Sequence, residues 1–298
     1  MKSAASRLAS LHLRPLGMPG IFLFSAFILA TFSSSYCLAI SSQEQAVDAT
    51  HVSNTVASIT AATVPLNHVL PAAKTEPLSV SPVIVIGFLG GNVKKGNLIH
   101  REVQLALHLR KQHPQGVYIG IFENSHGQLA LQQILRLLDT DHDGTLSLAE
   151  KKHARIIIYG HSWGASETVT MAHQLDHDGI PVLLTILVDR VPKFGEGDES
   201  IPPNVAQAVN FYQANGLLHG RNTIHAADPA DTRILGNYQF DYKNDHVDCT
   251  QFPWYARLFM GPHIEIENDP RVWNQVESLI AARLPPEQPL ATAQHIQH

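Results

Sequence analysis

Between Ala154 and Ala165 the chain reads Ala-Arg-Ile-Ile-Ile-Tyr-Gly-His-Ser-Trp-Gly-Ala, and this stretch limits the possible folds more than any other. Ile156 to Tyr159 has the make-up of a buried strand, and a helix is expected to begin near Ala165. Only the segment Gly160 to Gly164 is left to turn the chain. So sharp a turn crowds together the residues two before and two after its apex, and Gly160 and Gly164 carry no Cβ to collide there. Ser162 is the apex. A Gly-x-Ser-x-Gly turn between a strand and a helix lifts its serine on a strained backbone, where the hydroxyl can act as a nucleophile. Without those flanks the same residues would be a glycine-rich turn that happens to hold a serine.

Three more apolar runs have the continuous hydrophobicity of strands buried on both faces: Val83 to Ile86, Val117 to Phe122 and Val182 to Val188. Helical stripes separate them, carried by Ile99, Val103, Ala106 and Leu107, by Ala130, Ile134, Leu137 and Leu138, and by Val169, Ala172 and His173. A last helix is predicted over Arg271 to Arg283, with Val272, Val276, Leu279 and Ile280 on one face and Asn268-Asp269-Pro270 at its start. Strand and helix in alternation imply right-handed crossovers and a doubly wound α/β architecture with a mostly parallel sheet. In such sheets sites form at the carboxyl ends of strands. Phe88, Ser162 and Asp189 all fall at such ends.

The first residues read as targeting rather than fold. Lys2, Arg7 and Arg14 precede the apolar run Ile21 to Phe32, and Cys37-Leu38-Ala39 offers a cleavage site, so residues 1–39 are expected to be a signal peptide and the product exported. Losing Lys2, Arg7 and Arg14, with no acid, lowers the formal charge of −5 by three, to −8. That balance argues against nucleic acid as a partner and against electrostatic adhesion to anionic membranes. No stable membrane span is expected in the mature chain. Cys249 then remains as the one cysteine, an inert packed thiol with no disulfide partner. Residues 40–81, rich in Ser, Thr, Ala and Val, are expected to form a flexible linker, 82–284 one domain, and 285–298 a disordered tail.

A serine hydroxyl needs a base to take its proton, and the base needs a carboxylate to orient it. The elbow, the glycine-rich segment Gly87 to Asn92 after the first strand, and a late histidine ahead of the final helix together resemble the α/β-hydrolase superfamily, lipases and esterases above all, in the order Ser, acid, His. The resemblance covers about residues 82–284. It implies Asp189, directly after the fourth strand, as the acid, with Asp228 and Asp231 as competitors if Asn222 to Ala227 is a further strand. It implies His263, on a loop before the last helix, as the base, with His246 and His225 as runners-up; His161 is expected to pack or to line the pocket. The oxyanion hole would use the amides of Trp163 and of Phe88, with Leu89 next. Here the sequence departs from the lipase pattern, since Ile86 stands where a histidine would precede Gly87.

Asp139-Thr140-Asp141-His142-Asp143-Gly144-Thr145-Leu146-Ser147-Leu148-Ala149-Glu150 matches the twelve-residue calcium loop of EF-hands at every position. Ca²⁺ takes several hard oxygens around a tight turn, so Asp139, Asp141, Asp143, Thr145, Ser147 and Glu150 are the expected ligands of one structural ion. An amphipathic helix, Gln128 to Leu138, leads into the loop and a helical turn, Leu148 to His153, follows it. Standing alone within an enzyme-like core, the loop suits a clamp better than a sensor. The alternative is an acidic turn that caps the following helical turn.

Pro202-Pro203-Asn204 is expected to open a helix through Val205, Val209 and Tyr212, placed where lids occur in lipases. Phe211, Trp254, Tyr255, Phe259 and Met260 could then line an acyl pocket or simply pack. These features point to an exported serine hydrolase acting on small-molecule or lipid carboxylic esters, thioesters included, without an organic cofactor. The rivals are a non-catalytic, calcium-stabilised binding protein on the same fold, and an amidase, peptidase or acyltransferase with the same triad.

Overall fold

Apolar runs that bury both faces make the sheet, and six strands build it: β1 (Val83–Leu89), β2 (Val117–Glu123), β3 (Ile156–His161), β4 (Leu184–Val188), β5 (Gln207–Gln213) and β6 (Arg233–Phe240). The computed structural model describes residues 82–286 apart from positions 196 and 198. The expected leader (1–39), the linker (40–81) and the tail beyond its first two residues lie outside the described residues. Every strand pair is parallel, in the order β2-β1-β3-β4-β5-β6. The helices are α1 (Arg101–Gln112), α2 (Gly127–Leu138), α3 (Leu148–Lys152), α4 (Trp163–His177), α5 (Trp254–Asn268) and α6 (Pro270–Ala281).

Alternate residues of each inner strand feed opposite cores. Ile84, Ile86, Ile156 and Ile158 pack with Ala130, Ile134 and Leu138 of α2 and with Val169 and Ala172 of α4. On the other face, Val83, Val85, Ile157 and Ile186 meet Leu105 and Leu109 of α1 and Val272, Val276 and Ile280 of α6. The sheet is thus doubly wound, in the α/β-hydrolase manner. Each fully buried Ile or Leu contributes roughly 1.5–3 kcal/mol. The strand order reverses between β1's two neighbours, β2 and β3, which opens the crevice at their carboxyl ends. Among the described residues no helix is long and apolar enough to cross a membrane.

Three expectations need correction. Pro202-Pro203-Asn204 does not begin a helix: Val209 and Tyr212 lie in β5, between β4 and β6. Its buried Ala208, Val209, Asn210 and Phe211 show the two-sided burial of an inner strand, which outweighs their helix-compatible spacing. Asn222 to Ala227 contributes only an isolated bridge, Ile201 to Ala226, and the next strand is β6. The aromatic-rich segment before the last helix is itself helical, as α5.

Candidate active site

The tight turn after β3 puts Ser162 at φ 57°, ψ −122°, directly ahead of α4. A Cβ on Gly160 would stand 2.4 Å from the carbonyl of Gly164, and one on Gly164 would stand 2.1 Å from the carbonyl oxygen of Phe88. Both glycines are therefore steric requirements: the first lets the turn close on itself, the second lets α4 start against β1. Trp163, as the first residue of α4, has an N–H without an intrahelical acceptor.

Asp189 leaves the end of β4 at φ 43° and is fully buried. Its carboxylate accepts from Gln213 Nε2 at 2.8 Å, from the Gly220 amide at 2.7 Å and from His263 Nδ1 at 2.6 Å. Burial pushes its pKa up, but the hydrogen bonds from His263, Gln213 and Gly220 outweigh it and hold the group below the usual carboxylate range. The competitors stand elsewhere. Asp228 and Asp231 are exposed, and Asp228 accepts from the Ala230 amide in its own turn.

His263 is on a helix rather than on a loop. Pro262 lies inside α5, and Met260 (φ −129°) marks a kink there. Proline has no N–H to donate and displaces the preceding turn. Beyond the kink, His263, Ile264 and Glu267 share the face that lines the cavity. Nε2 of His263 is 3.0 Å from Ser162 Oγ, so the serine hydroxyl can donate to it while Nδ1–H donates to Asp189. His225 and His246 are exposed, and His246 pairs with Glu265 at 2.8 Å.

The structure thus joins Ser162, His263 and Asp189 in one hydrogen-bonded line, while Phe88 stands apart. Phe88 is an internal residue of β1, paired with Phe122 and Gly160, with its ring in the core. Leu89 also belongs to β1. The loop residues that line the cavity with Ser162 are Gly90, Gly91, Asn92 and Val93. Asn124, one residue past β2, holds that loop by donating to the carbonyls of Leu89 (3.0 Å) and Gly91.

The cavity, about 50 Å³, is closed on its apolar side by Leu218, Phe252, Met260 and Ile264. Of the aromatic and Met residues expected there only Met260 takes part. Phe211 is buried in β5 against Tyr238, Tyr255 of α5 packs partly buried on the cluster that holds Cys249 and Phe252, and Trp254 and Phe259 are exposed.

One group of side chains was not anticipated as a set. His100, Glu102, His161 and Glu267 gather beside the serine, all buried. The His161 ring lies against that of His263, with centroids 4.6 Å apart at 34°. Burial, then the neighbouring His263, lowers the His161 pKa to about 4, which keeps this ring neutral. Burial and the Glu267 charge push Glu102 up to about 8. Glu267 is shifted down: its burial is outweighed by His100, 2.5 Å away. Cys249 is buried, and burial followed by Glu265 raises its thiol to about 12, an inert state.

In the acidic loop, Asp139, Asp141 and Asp143 bring one carboxylate oxygen each to within 4.8 Å of one another. The Gly144 amide (φ 85°) donates to Asp139 at 3.1 Å, and His142 has φ 60°. Glu150 is turned to its own loop: it accepts from the amides of Thr140 (2.7 Å) and Ser147 (2.9 Å), and it forms a capping box with Ser147 at the start of α3. Thr145 Oγ1 and its amide donate to Asp143.

No family model matches the chain, and no curated protein sequence matches it. Among solved structures it is similar to a thioesterase from the prodiginine biosynthetic pathway of Streptomyces coelicolor, at 9% identity over 72% of this chain and 90% of that one, TM-score 0.39. Human thioesterase 2 gives 12% identity over 67% and 95% of the two chains, TM-score 0.35. A cutinase-like protein from Cryptococcus sp. gives 14% identity over 69% and 96%, TM-score 0.34. Likeness at this level says nothing of substrate; the chemistry of the site is carried by its side chains.

Proposed function

We propose that the chain is an exported serine hydrolase that cleaves carboxylic esters or thioesters through an acyl-enzyme on Ser162. The observation that supports this reading best is the line from Ser162 Oγ to His263 Nε2 and from His263 Nδ1 to Asp189, at 3.0 and 2.6 Å, beside a cavity with apolar walls. In the first step Oγ bonds to the substrate carbonyl carbon and its proton passes to His263 Nε2. Asp189 stabilises the imidazolium, and the neutral His161 ring against it adds no opposing charge. The oxyanion meets the Trp163 amide and, in place of Phe88, the Gly91 amide, since that of Gly90 is given to Glu102. His263 then protonates the departing alcohol or thiol. Water, deprotonated by the same imidazole, attacks the acyl carbon and frees Ser162.

The acidic loop fits Ca²⁺ as a structural ion. Asp139, Asp141 and Asp143 would hold it, with Thr145 and Ser147 beside them and Glu150 released from its loop amides to close the site. Such an ion would supply charge compensation and rigidity rather than chemistry.

The test is labelling of the purified protein with a fluorophosphonate probe, followed by mass mapping. Covalent modification of Ser162, lost in Ser162→Ala while circular dichroism stays unchanged, is the expected result. Folded protein that takes up no label, or labels at another residue, would transfer the weight to a binding role on the same fold.

A further inference from the structure

We infer that His100, Glu102 and Glu267 form a binding site for one divalent transition-metal ion, Zn²⁺ above all, on the wall of the Ser162 cavity. His100 caps the start of α1, Glu102 occupies its first turn, and Glu267 comes from the far half of α5. Sequence distance hides the group; the fold assembles it. The three residues are 7%, 0% and 4% exposed, and each brings a ligand atom to within 4.8 Å of the other two.

Of these two buried carboxylates, Glu267 has a basic partner at hydrogen-bond distance and Glu102 has none among the described residues. His100 bonds Glu267 directly, at 2.5 Å. His161 Nδ1 stands 3.9 Å from Glu102 and 3.8 Å from Glu267, beyond hydrogen-bond reach of either. Glu102 Oε1 accepts from the Gly90 amide, at 3.3 Å, and Oε2, fully buried, has no hydrogen-bond partner among the described residues. An orphaned oxygen in a fully buried carboxylate is the second, independent sign that something is bound there. Donors held at about 2.0–2.1 Å from one ion stand roughly 3–4 Å from each other; here they lie within 4.8 Å, and a bound ion would take the place of the hydrogen bond between His100 and Glu267.

One imidazole and two carboxylates make a borderline donor set that suits Zn²⁺ better than Ca²⁺. The Gly90 amide would be an outer-shell donor that fixes Glu102. His100 and Glu267 both line the cavity, so the ion's open position would face whatever lies against Ser162, an oxygen or an anionic group of a bound molecule. The site rests on its own geometry and does not depend on Ser162 being a nucleophile.

The experiment is equilibrium dialysis of the full chain against micromolar Zn²⁺, with bound metal counted by plasma mass spectrometry. The chain carries Asp139→Asn and Asp141→Asn to silence the acidic loop. The expected result is one equivalent of Zn²⁺, with affinity falling about 100-fold or more in Glu102→Gln and in Glu267→Gln. Glutamine keeps the shape of a protonated carboxyl, and both variants leave every histidine in place, so adventitious binding by surface histidines is unchanged. No uptake, or uptake equal in the parent and both variants, overturns the assignment. Should a variant fail to fold, Co²⁺ added to the parent decides: visible ligand-field bands that Zn²⁺ abolishes support the site, and their absence overturns it. Fluorophosphonate labelling is read separately, so failure here is distinct from failure of the hydrolase reading.

Discussion

Asp189 is held in place by what donates to it. Gln213, Gly220 and His263 all point hydrogens at one buried carboxylate, and a charge so served is kept ionised despite its burial. Asp189→Asn preserves the shape and reverses one donor–acceptor pairing, leaving His263 in the wrong tautomer. A loss of about 10⁴ in kcat is expected, with Asp228→Asn, at an exposed turn, unchanged. Equal activity in the two variants would remove Asp189 from the site. Stability follows with a definite sign. A carboxyl whose native pKa is depressed stabilises the fold above its unfolded value of about 3.9, and that contribution is lost as pH falls through the lower native value. In urea titrations the gap between wild type and Asp189→Asn should therefore be widest near neutrality and narrow below about pH 4.

At the scale of elements, the turn at Ser162 is a packing problem. Gly164 lets the first turn of α4 rest on the β1 backbone: a Cβ there would meet Phe88 O at 2.1 Å and Phe88 C at 2.6 Å, both main-chain atoms that cannot rotate away. Glycine to alanine within a helix ordinarily stabilises by up to about 1 kcal/mol. Here the collision should reverse the sign, with Gly164→Ala costing about 3 kcal/mol or more in urea unfolding. Gly179, at φ 68° with nothing within 4 Å of its missing Cβ, should lose only about 1–2 kcal/mol as alanine. A neutral Gly164→Ala would mean that α4 sits further from β1. This turn was legible in the sequence because it needs two glycines at fixed spacing, and β1 to β4 were legible because burial on both faces leaves unbroken apolar runs. β5 was hidden by an apolar spacing, Val205, Val209, Tyr212, that follows the helical period, and β6 by the polar residues of an edge strand. α5 was masked by Gly261 and Pro262, so His263 was expected on a loop and stands on a helix. Nothing marked Glu102, whose place in a first helical turn reads as a surface charge until α5 closes over it.

On the scale of the whole molecule, the connection from α2 to β3 carries the acidic loop. α2 packs Ala130, Ile134 and Leu138 against β1, β3 and α4, and β3 ends at His161, so the acidic loop lies between a helix of the core and the strand directly ahead of Ser162. Three carboxylates close together in that link repel one another when no cation is present, and a bound cation converts the repulsion into a clamp. Because the ion would bind the folded loop and not the unfolded chain, it should raise stability by mass action. At a weak extracellular affinity, about 10⁻⁴–10⁻³ M, ten millimolar Ca²⁺ would add about 1.4–2.7 kcal/mol. For a domain of this size that corresponds to a rise of about 3–10 °C in Tm. Differential scanning calorimetry with Ca²⁺ and with chelator should show it, and Asp139→Asn with Asp141→Asn should abolish the difference. The acidic loop shares no residue with the group His100, Glu102 and Glu267. Ca²⁺ should move Tm and leave Zn²⁺ stoichiometry alone, whereas Glu102→Gln should remove Zn²⁺ and leave the Ca²⁺ response intact. A melting curve unmoved by Ca²⁺ would make the loop an acidic turn capped by Ser147 and Glu150. The link between α2 and β3 would then be held by that capping box and by the apolar packing of α2 alone.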